Sequence, residues 1–178
     1  MSETDPLSLP WEKVLLDKLL GLFFLSVSSP IWMLIFLAVI VENLAVPENR
    51  GSFFYTEIRV SAGRPFSLLK IRILKKDAIS KIRRDGAVPK QVENEPGSIT
   101  GVGRVLKKFG LDEMAQMINI IRGNMTFVGP RPKPVAEYEA ELKLGIKNRA
   151  LVRAGLTGPA QIMKGTKRTT EDERQADS

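Results

Sequence analysis

Neither cysteine nor histidine occurs anywhere in the chain. Without cysteine there is no disulfide, no thiolate nucleophile and no Cys-ligated zinc; without histidine the commonest general base and metal ligand is missing. Any chemistry must run on Asp, Glu, Lys, Arg, Tyr or hydroxyl groups. Aromatic residues are also scarce, at 7%, and no tryptophan follows Trp32. Few rings are therefore interleaved with the cations, which argues against stacking on single-stranded nucleic acid. Positive charge is plentiful: 27 Lys and Arg against 20 Asp and Glu give a net charge of +7. Such a chain is drawn to phosphate esters, nucleic acid or an acidic membrane surface. At 178 residues, 43% hydrophobic and 26% charged, it has the size of one domain with an appendage and is neither disordered nor wholly embedded in lipid.

Charge is absent from Leu19 to Val41, a run of 23 residues dense in Leu, Phe, Ile and Val. As a straight helix it would reach roughly 35 Å, enough to cross a hydrocarbon core of about 30 Å. A cleaved signal peptide fits poorly, because Glu3, Asp5 and Glu12 precede the run and no small-residue cleavage site follows it. Pro30, in "SVSSPIW", removes a backbone donor and predicts a bend or break, with Ser26, Ser28 and Ser29 available to cap the freed groups. Two topologies follow. One is a kinked single span, which the sequence alone favours slightly; the other is a re-entrant helix-break-helix over residues 14–29 and 31–46. The positive-inside rule puts the basic remainder of the chain in the cytoplasm, and the missing cysteines agree weakly with that.

After this segment "SFFYTEIRV" alternates as a strand, "SAGRP" turns the chain, and "FSLLKIRIL" puts Phe66, Leu68, Lys70, Arg72 and Leu74 on one strand face. Two cations on a shared face suit a phosphate. Nine basic and two acidic residues lie between Arg64 and Lys90, which fits a solvated face or a lipid-headgroup patch as well as a specific site. "QVENEPGSITGVG" reads as loop; its "GVG" lacks the third glycine and the preceding strand of a dinucleotide fingerprint. "RVLKKFG" reads as a short basic turn. From Leu111, apolar residues recur at helical spacing through Ile121, and Gly123 stands at a C-cap position, predicting a helix from about Leu111 to Arg122. Asp112 and Glu113 occupy its first turn, where capping alone would explain either one. "MTFVGPRP" predicts a short strand running into a stiff loop that pins Arg131, and "KPVAEYEAELKLGIKNRA" an amphipathic helix of a kind suited to lying at the membrane interface. The glycine-punctuated "LVRAGLTGPAQI" carries Arg153 and Thr157, and a polar tail closes the chain.

Taken in order, these segments resemble the bacterial sugar transferases that act on polyprenyl phosphate, the monotopic phosphoglycosyl transferases. The likeness rests on the hydrophobic hairpin with Ser29-Pro30 at its break, "FSLLKIRIL", "GRVLKKFGLDEMAQMINIIRGNMTFVGPRP" and "VRAGLTGPAQI". It implies an α/β fold, mostly α with short strands: residues 1–46 as a re-entrant membrane element, reversing the preference for a kinked span, and residues 47–178 as a small cytosolic catalytic domain with interfacial amphipathic helices. It implies transfer of a phosphosugar from a nucleotide diphosphate sugar, usually a UDP-sugar, to undecaprenyl phosphate at the bacterial inner membrane, with release of the nucleoside monophosphate, as a first membrane step of glycan assembly. By the same resemblance Asp112 is the nucleophile that forms a phosphosugar-aspartyl intermediate, and Glu113 assists with Mg²⁺ beside both. Lys70, Arg72, Lys107, Arg131, Arg149, Arg153 and Thr157 would contact phosphate or nucleotide. Membrane lipids are implied as partners and nucleic acid is not; self-association into a homo-oligomer is left open. Departures from the family pattern are Ile71 for phenylalanine, Ala115 and Ala154 for proline, and Asn124 for an acidic residue, and Ser178 falls before a C-terminal segment that many members carry. The alternative is a non-catalytic, membrane-anchored basic binding module or scaffold.

Overall fold

The computed structural model describes residues 6–86 and 89–158. The polar tail from Lys164, the end of the glycine loop from Pro159 and positions 87 and 88 of the basic stretch lie outside them. The fold is mixed α/β and mostly helical, with short strands. The chain breaks near the expected proline: α1 (Trp11–Val27) and α2 (Ser29–Ala45) meet at a bend of 59°, with Pro30 in the first turn of α2, where its missing N–H costs nothing. The Ser28 hydroxyl donates to the Leu25 carbonyl at 3.3 Å, bonding back into α1. Each helix has 17 residues, about 25 Å of rise. No single described helix is long and apolar enough to cross a membrane; the bent pair passes that test together, by length and composition.

The burial of α1 is inverted relative to a helix in water. Its buried residues are Asp17 and Gly21, whereas Leu15, Leu16, Leu19, Leu22 and Phe23 are exposed. A polar interior with an apolar exterior suits lipid surroundings. The Asp17 carboxylate is satisfied at this position by an ion pair with Lys13 and by the Thr126 hydroxyl, which donates to it at 2.6 Å.

Two strands follow, β1 (Phe54–Ser61) and β2 (Arg64–Ile71), joined by a turn in which Ala62 and Gly63 take positive φ. Then come α3 (Lys76–Asp85), α4 (Pro89–Glu93) and α5 (Gly101–Phe109). The stretch read as loop and basic turn is thus partly helical. Thr100 caps α5 by accepting from the Gly103 amide at 2.9 Å, and Gly110, with φ 67°, stops it.

The helix expected from Leu111 is divided. Leu111–Ala115 is a 3₁₀ turn and only α6 (Gln116–Ile121) is α-helical. The Glu113 amide reaches back three residues to the Gly110 carbonyl at 3.3 Å, which tightens this segment. Beyond it lie β3 (Thr126–Val128), β4 (Lys133–Pro134), α7 (Val135–Lys143), α8 (Asn148–Leu151) and β5 (Gly155–Thr157). The amphipathic helix expected over this region is interrupted at Gly145, whose φ of 80° ends α7. Strand order is β2-β1-β4 in one sheet, while β3 and β5 pair in parallel with Thr126 opposite Gly155.

The described residues form two compact units, each assembled from separated stretches of chain. One takes the residues up to Phe24, Thr56–Leu68 and those from Gln116 onward; Leu68, Ile120 and Met125 are its buried apolar centre, flanked by Phe66, Phe127 and Leu156. The other takes Leu25–Tyr55 and Leu69–Ala115, with Ile71, Ile73, Leu74, Val92 and Leu106 packed on Ile35 and Val39 of α2.

Candidate active site

Asp112 sits where three local features meet. Gly110 ends α5 in a left-handed conformation, the 3₁₀ turn follows at once, and Leu111, Met114 and Ala115 of that turn pack into the apolar core, Ala115 being fully buried. With its neighbours fixed on the core side, the Asp112 side chain is only 8% exposed. Lys70, at the end of β2, acts on it electrostatically, as do Glu113 and Glu93.

Burial, followed by the charge of Glu113, pushes the Asp112 carboxyl above the usual carboxylate range; Lys70 and a hydrogen bond with its own backbone pull it back, and Glu93 adds to the rise. Ionisation of Asp112 is thus opposed by its surroundings, whereas a position at a helix head would favour it. The 3₁₀ geometry and the burial account for the difference. An approaching cation reverses this balance, because an opposite charge within a few ångströms favours the carboxylate.

The donor set fits Mg²⁺. Asp112 and Glu113 offer adjacent hard oxygen ligands, and Mg²⁺ is commonly held by one or two carboxylates completed by water and substrate phosphates. Among the described residues no group of three or more acidic side chains forms a cage by itself.

The remaining basic residues divide into distinct settings. The Lys107 ammonium lies 3.2 Å from the Glu93 carboxylate and 3.4 Å from the Glu93 carbonyl, so it is held by the partner that also acts on Asp112. Arg72 behaves differently from the expectation of a phosphate contact. It is 4% exposed and donates to the carbonyls of Ser52 (2.7 Å), Leu74 (2.8 Å) and Asn49 (2.8 Å) and to the Asn43 side-chain oxygen (3.0 Å). Burial lowers its pKa from the ordinary guanidinium value, and Glu42 partly opposes the fall. The geometry makes it a structural clamp. The shared strand face fails because β2 ends at Ile71, one residue before Arg72.

In the other unit, Arg131, Lys133, Arg149 and Tyr138 line a small cleft. Arg149 donates to the Arg131 carbonyl at 2.7 Å and lies 3.3 Å from the Glu141 carboxylate, which also pairs with Lys133. Lys133 and Arg149 share the one buried carboxylate, and Arg131 lines the same cleft, so three cationic side chains gather where an anion could be received. Arg153 is half-buried and Thr157 exposed, the latter at the end of β5. The close approach of β3 and β5 depends on glycine: a Cβ on Gly129 would lie 2.5 Å from the Arg153 carbonyl, and one on Gly155 would overlap the Gly129 backbone.

Asp112, Glu113 and Lys70 are therefore brought together, with Lys107 joined to them through Glu93; Arg131 and Arg149 form a second group. Glu93, Lys133 and Glu141 were not singled out by sequence. Lys133 carried a signal, being the second cation of the proline-stiffened "PRPKP"; Glu93 and Glu141 carried none.

Comparison with known proteins bears on this arrangement. The family model described as "Bacterial sugar transferase" matches residues 10–178. The chain is 31% identical over 169 residues to the UDP-glucose:undecaprenyl-phosphate glucose-1-phosphate transferase of Caulobacter vibrioides, covering 92% of this chain and 58% of that protein. To the Escherichia coli K12 protein of the same name it is 35% identical over 149 residues, covering 82% of this chain and 30% of the relative. To the exopolysaccharide production protein ExoY of Sinorhizobium fredii it is 34% identical over 158 residues, covering 82% and 66%. The chain thus spans less than two thirds of the length of each of these relatives.

Proposed function

The chain belongs to the bacterial sugar transferase family, and on that premise we propose that it moves a sugar-1-phosphate from a nucleotide diphosphate sugar, a UDP-sugar, to undecaprenyl phosphate. The observation that carries this reading is Asp112: a buried carboxylate beside a second carboxylate and under the influence of Lys70. The names of the relatives supply the donor and acceptor classes.

The reaction divides into two displacements. A carboxylate oxygen of Asp112 attacks the sugar-bearing phosphorus; an acyl-phosphate bond forms, the bridging diphosphate bond breaks, and the nucleoside monophosphate leaves with the bonding electrons. A phosphate oxygen of undecaprenyl phosphate then attacks the same phosphorus and displaces Asp112, which regains its carboxylate. Asp112 and Glu113 are the residues that would hold Mg²⁺, whose charge offsets that of the diphosphate. Lys70 adds a fixed positive charge beside the nucleophile, lowering the repulsion between two anions. The raised pKa has a use here, since a carboxylate ionised at the cost of burial is a better nucleophile than one stabilised by many donors. We place α1 and α2 in the bilayer as a re-entrant pair, with the remainder on the cytoplasmic face beside the lipid phosphate.

Incubation with a panel of UDP-sugars and Mg²⁺ tests this directly. Intact mass should gain one phosphosugar in the wild type and nothing in Asp112→Asn, and monophosphate release should follow the same pattern. A wild type that gives neither adduct nor monophosphate with any common UDP-sugar would overturn the reading in favour of a binding module.

A further inference from the structure

The "GVG" that matched no dinucleotide fingerprint is the head of α5, and its three amides are all bound by side chains. Gly103 donates to the Thr100 hydroxyl at 2.9 Å, the ordinary capping bond. The other two go to Glu42, from the last turn of α2: Gly101 donates to its Oε1 at 2.5 Å, and Val102 to both of its oxygens at 3.2 Å. Asn49 donates to the same Oε1 at 2.9 Å and fixes the carboxylate from the other side. A carboxylate bonded to the N-terminal amides also meets the positive end of the helix dipole.

Glycine at 103 is demanded by neighbouring backbone, and glycine at 101 leaves room for the carboxylate. A Cβ on Gly101 would stand 2.8 Å from Glu42 Oε1, and one on Gly103 would overlap the Ile73 carbonyl. The segment is shaped as a receptor for a carboxylate arriving from α2. At its far end α5 stops at Gly110 and the chain passes through Leu111 into Asp112. The helix also carries Lys107, which holds Glu93. Nine residues of helix make a stiff rod of about 13 Å between the Glu42 carboxylate and the turn that bears Asp112.

We propose that Glu42 is a positioning residue: through Gly101, Val102 and the body of α5 it ties the end of the apolar helix α2 to the placement of Asp112. This deepens the proposed transfer reaction and rests on it. Glu42 does not touch substrate; its effect is on the first displacement, where misplacing a reacting group by about 1 Å can cost on the order of a hundredfold.

The test uses the full chain in nanodiscs with undecaprenyl phosphate, Mg²⁺ and the UDP-sugar that the wild type turns over. Glu42→Leu should lower kcat at least tenfold with KM for the donor within about twofold, and Glu42→Gln, which keeps one acceptor oxygen, should restore most of it. Should Glu42→Leu fail to fold, Gly101→Ala serves in its place, because the added methyl displaces the same carboxylate, and it should lower kcat with KM for the donor within about twofold. Wild-type kcat in Glu42→Leu or Gly101→Ala, or a rise in KM alone, overturns the proposal. Hydrogen exchange separates this from failure of the reaction itself. In Glu42→Leu, exchange should accelerate at residues 101–102 and also at 111–115; acceleration confined to 101–102 overturns the proposal whether or not the wild type is active.

Discussion

Replacing Arg72 by methionine removes a guanidinium whose donors are matched to four acceptors, three of them main-chain carbonyls. Each hydrogen bond from a charged donor is worth about 1.5–3 kcal/mol net, and each acceptor left buried without a partner costs about 1–3 kcal/mol. Against this stands the penalty of burying the cation, which already lowers its pKa and is refunded when the charge is removed. Carbonyls near the surface can recover water. The balance is a loss of about 3–5 kcal/mol, the range observed when a buried charged cluster loses one member. For a chain of this size that corresponds to a fall on the order of 10 °C in melting temperature. Lysine keeps the charge but reaches fewer acceptors, so Arg72→Lys should lose about half as much. Thermal unfolding in detergent, followed by intrinsic fluorescence, reads the stability; donor KM is measured on the same samples below the transition. An unchanged melting temperature with a donor KM raised tenfold would refute the clamp and return Arg72 to the substrate.

Two further outcomes follow from particular residues. Because the Asp112 pKa is raised in the folded protein, its protonated form favours folding: that stability is fully present below the ordinary carboxylate range and is lost as pH rises through the raised value. A urea titration across this window without divalent cation should show the loss in the wild type but not in Asp112→Asn, and equal slopes in the two proteins would contradict the assignment. Gly129→Ala puts a methyl within 2.5 Å of the Arg153 carbonyl, which should cost about 3 kcal/mol and shift the denaturation midpoint; an unshifted midpoint would show that the β3–β5 crossing relaxes freely.

The parts of the fold legible in the sequence are those fixed by neighbours along the chain. Pro30 breaks the apolar segment because it acts within one turn, and Asp112 and Glu113 come as a pair because they are adjacent. The shared face of Lys70 and Arg72 is lost at a boundary: alternation along "FSLLKIRIL" holds only while β2 lasts, and the carbonyls that bind Arg72 include those of Asn49 and Ser52, more than a strand length upstream. The division of the 111–121 helix was hidden because its apolar spacing suits an α-helix and a 3₁₀ turn almost equally over so few residues. Glu42 and Gly101 are 59 residues apart, and nothing local marks either as the other's partner; only the unused "GVG" hinted that some close approach was required there.

The bond between Asp17 and Thr126 spans 109 residues. At roughly 5–20 residues per second, a ribosome needs on the order of 5–20 s to bring the hydroxyl out after the carboxylate. During that interval α1 has Lys13 as the nearest answer to its acidic charge, and Gly155, opposite Thr126 in the parallel pair, is still to be made. On the proposed re-entrant placement, the apolar hairpin reaches the bilayer before the strands that hold its first half exist. A nascent chain arrested between residues 60 and 120 should remain extractable by carbonate, and resistance should appear only after Thr126 has cleared the exit tunnel.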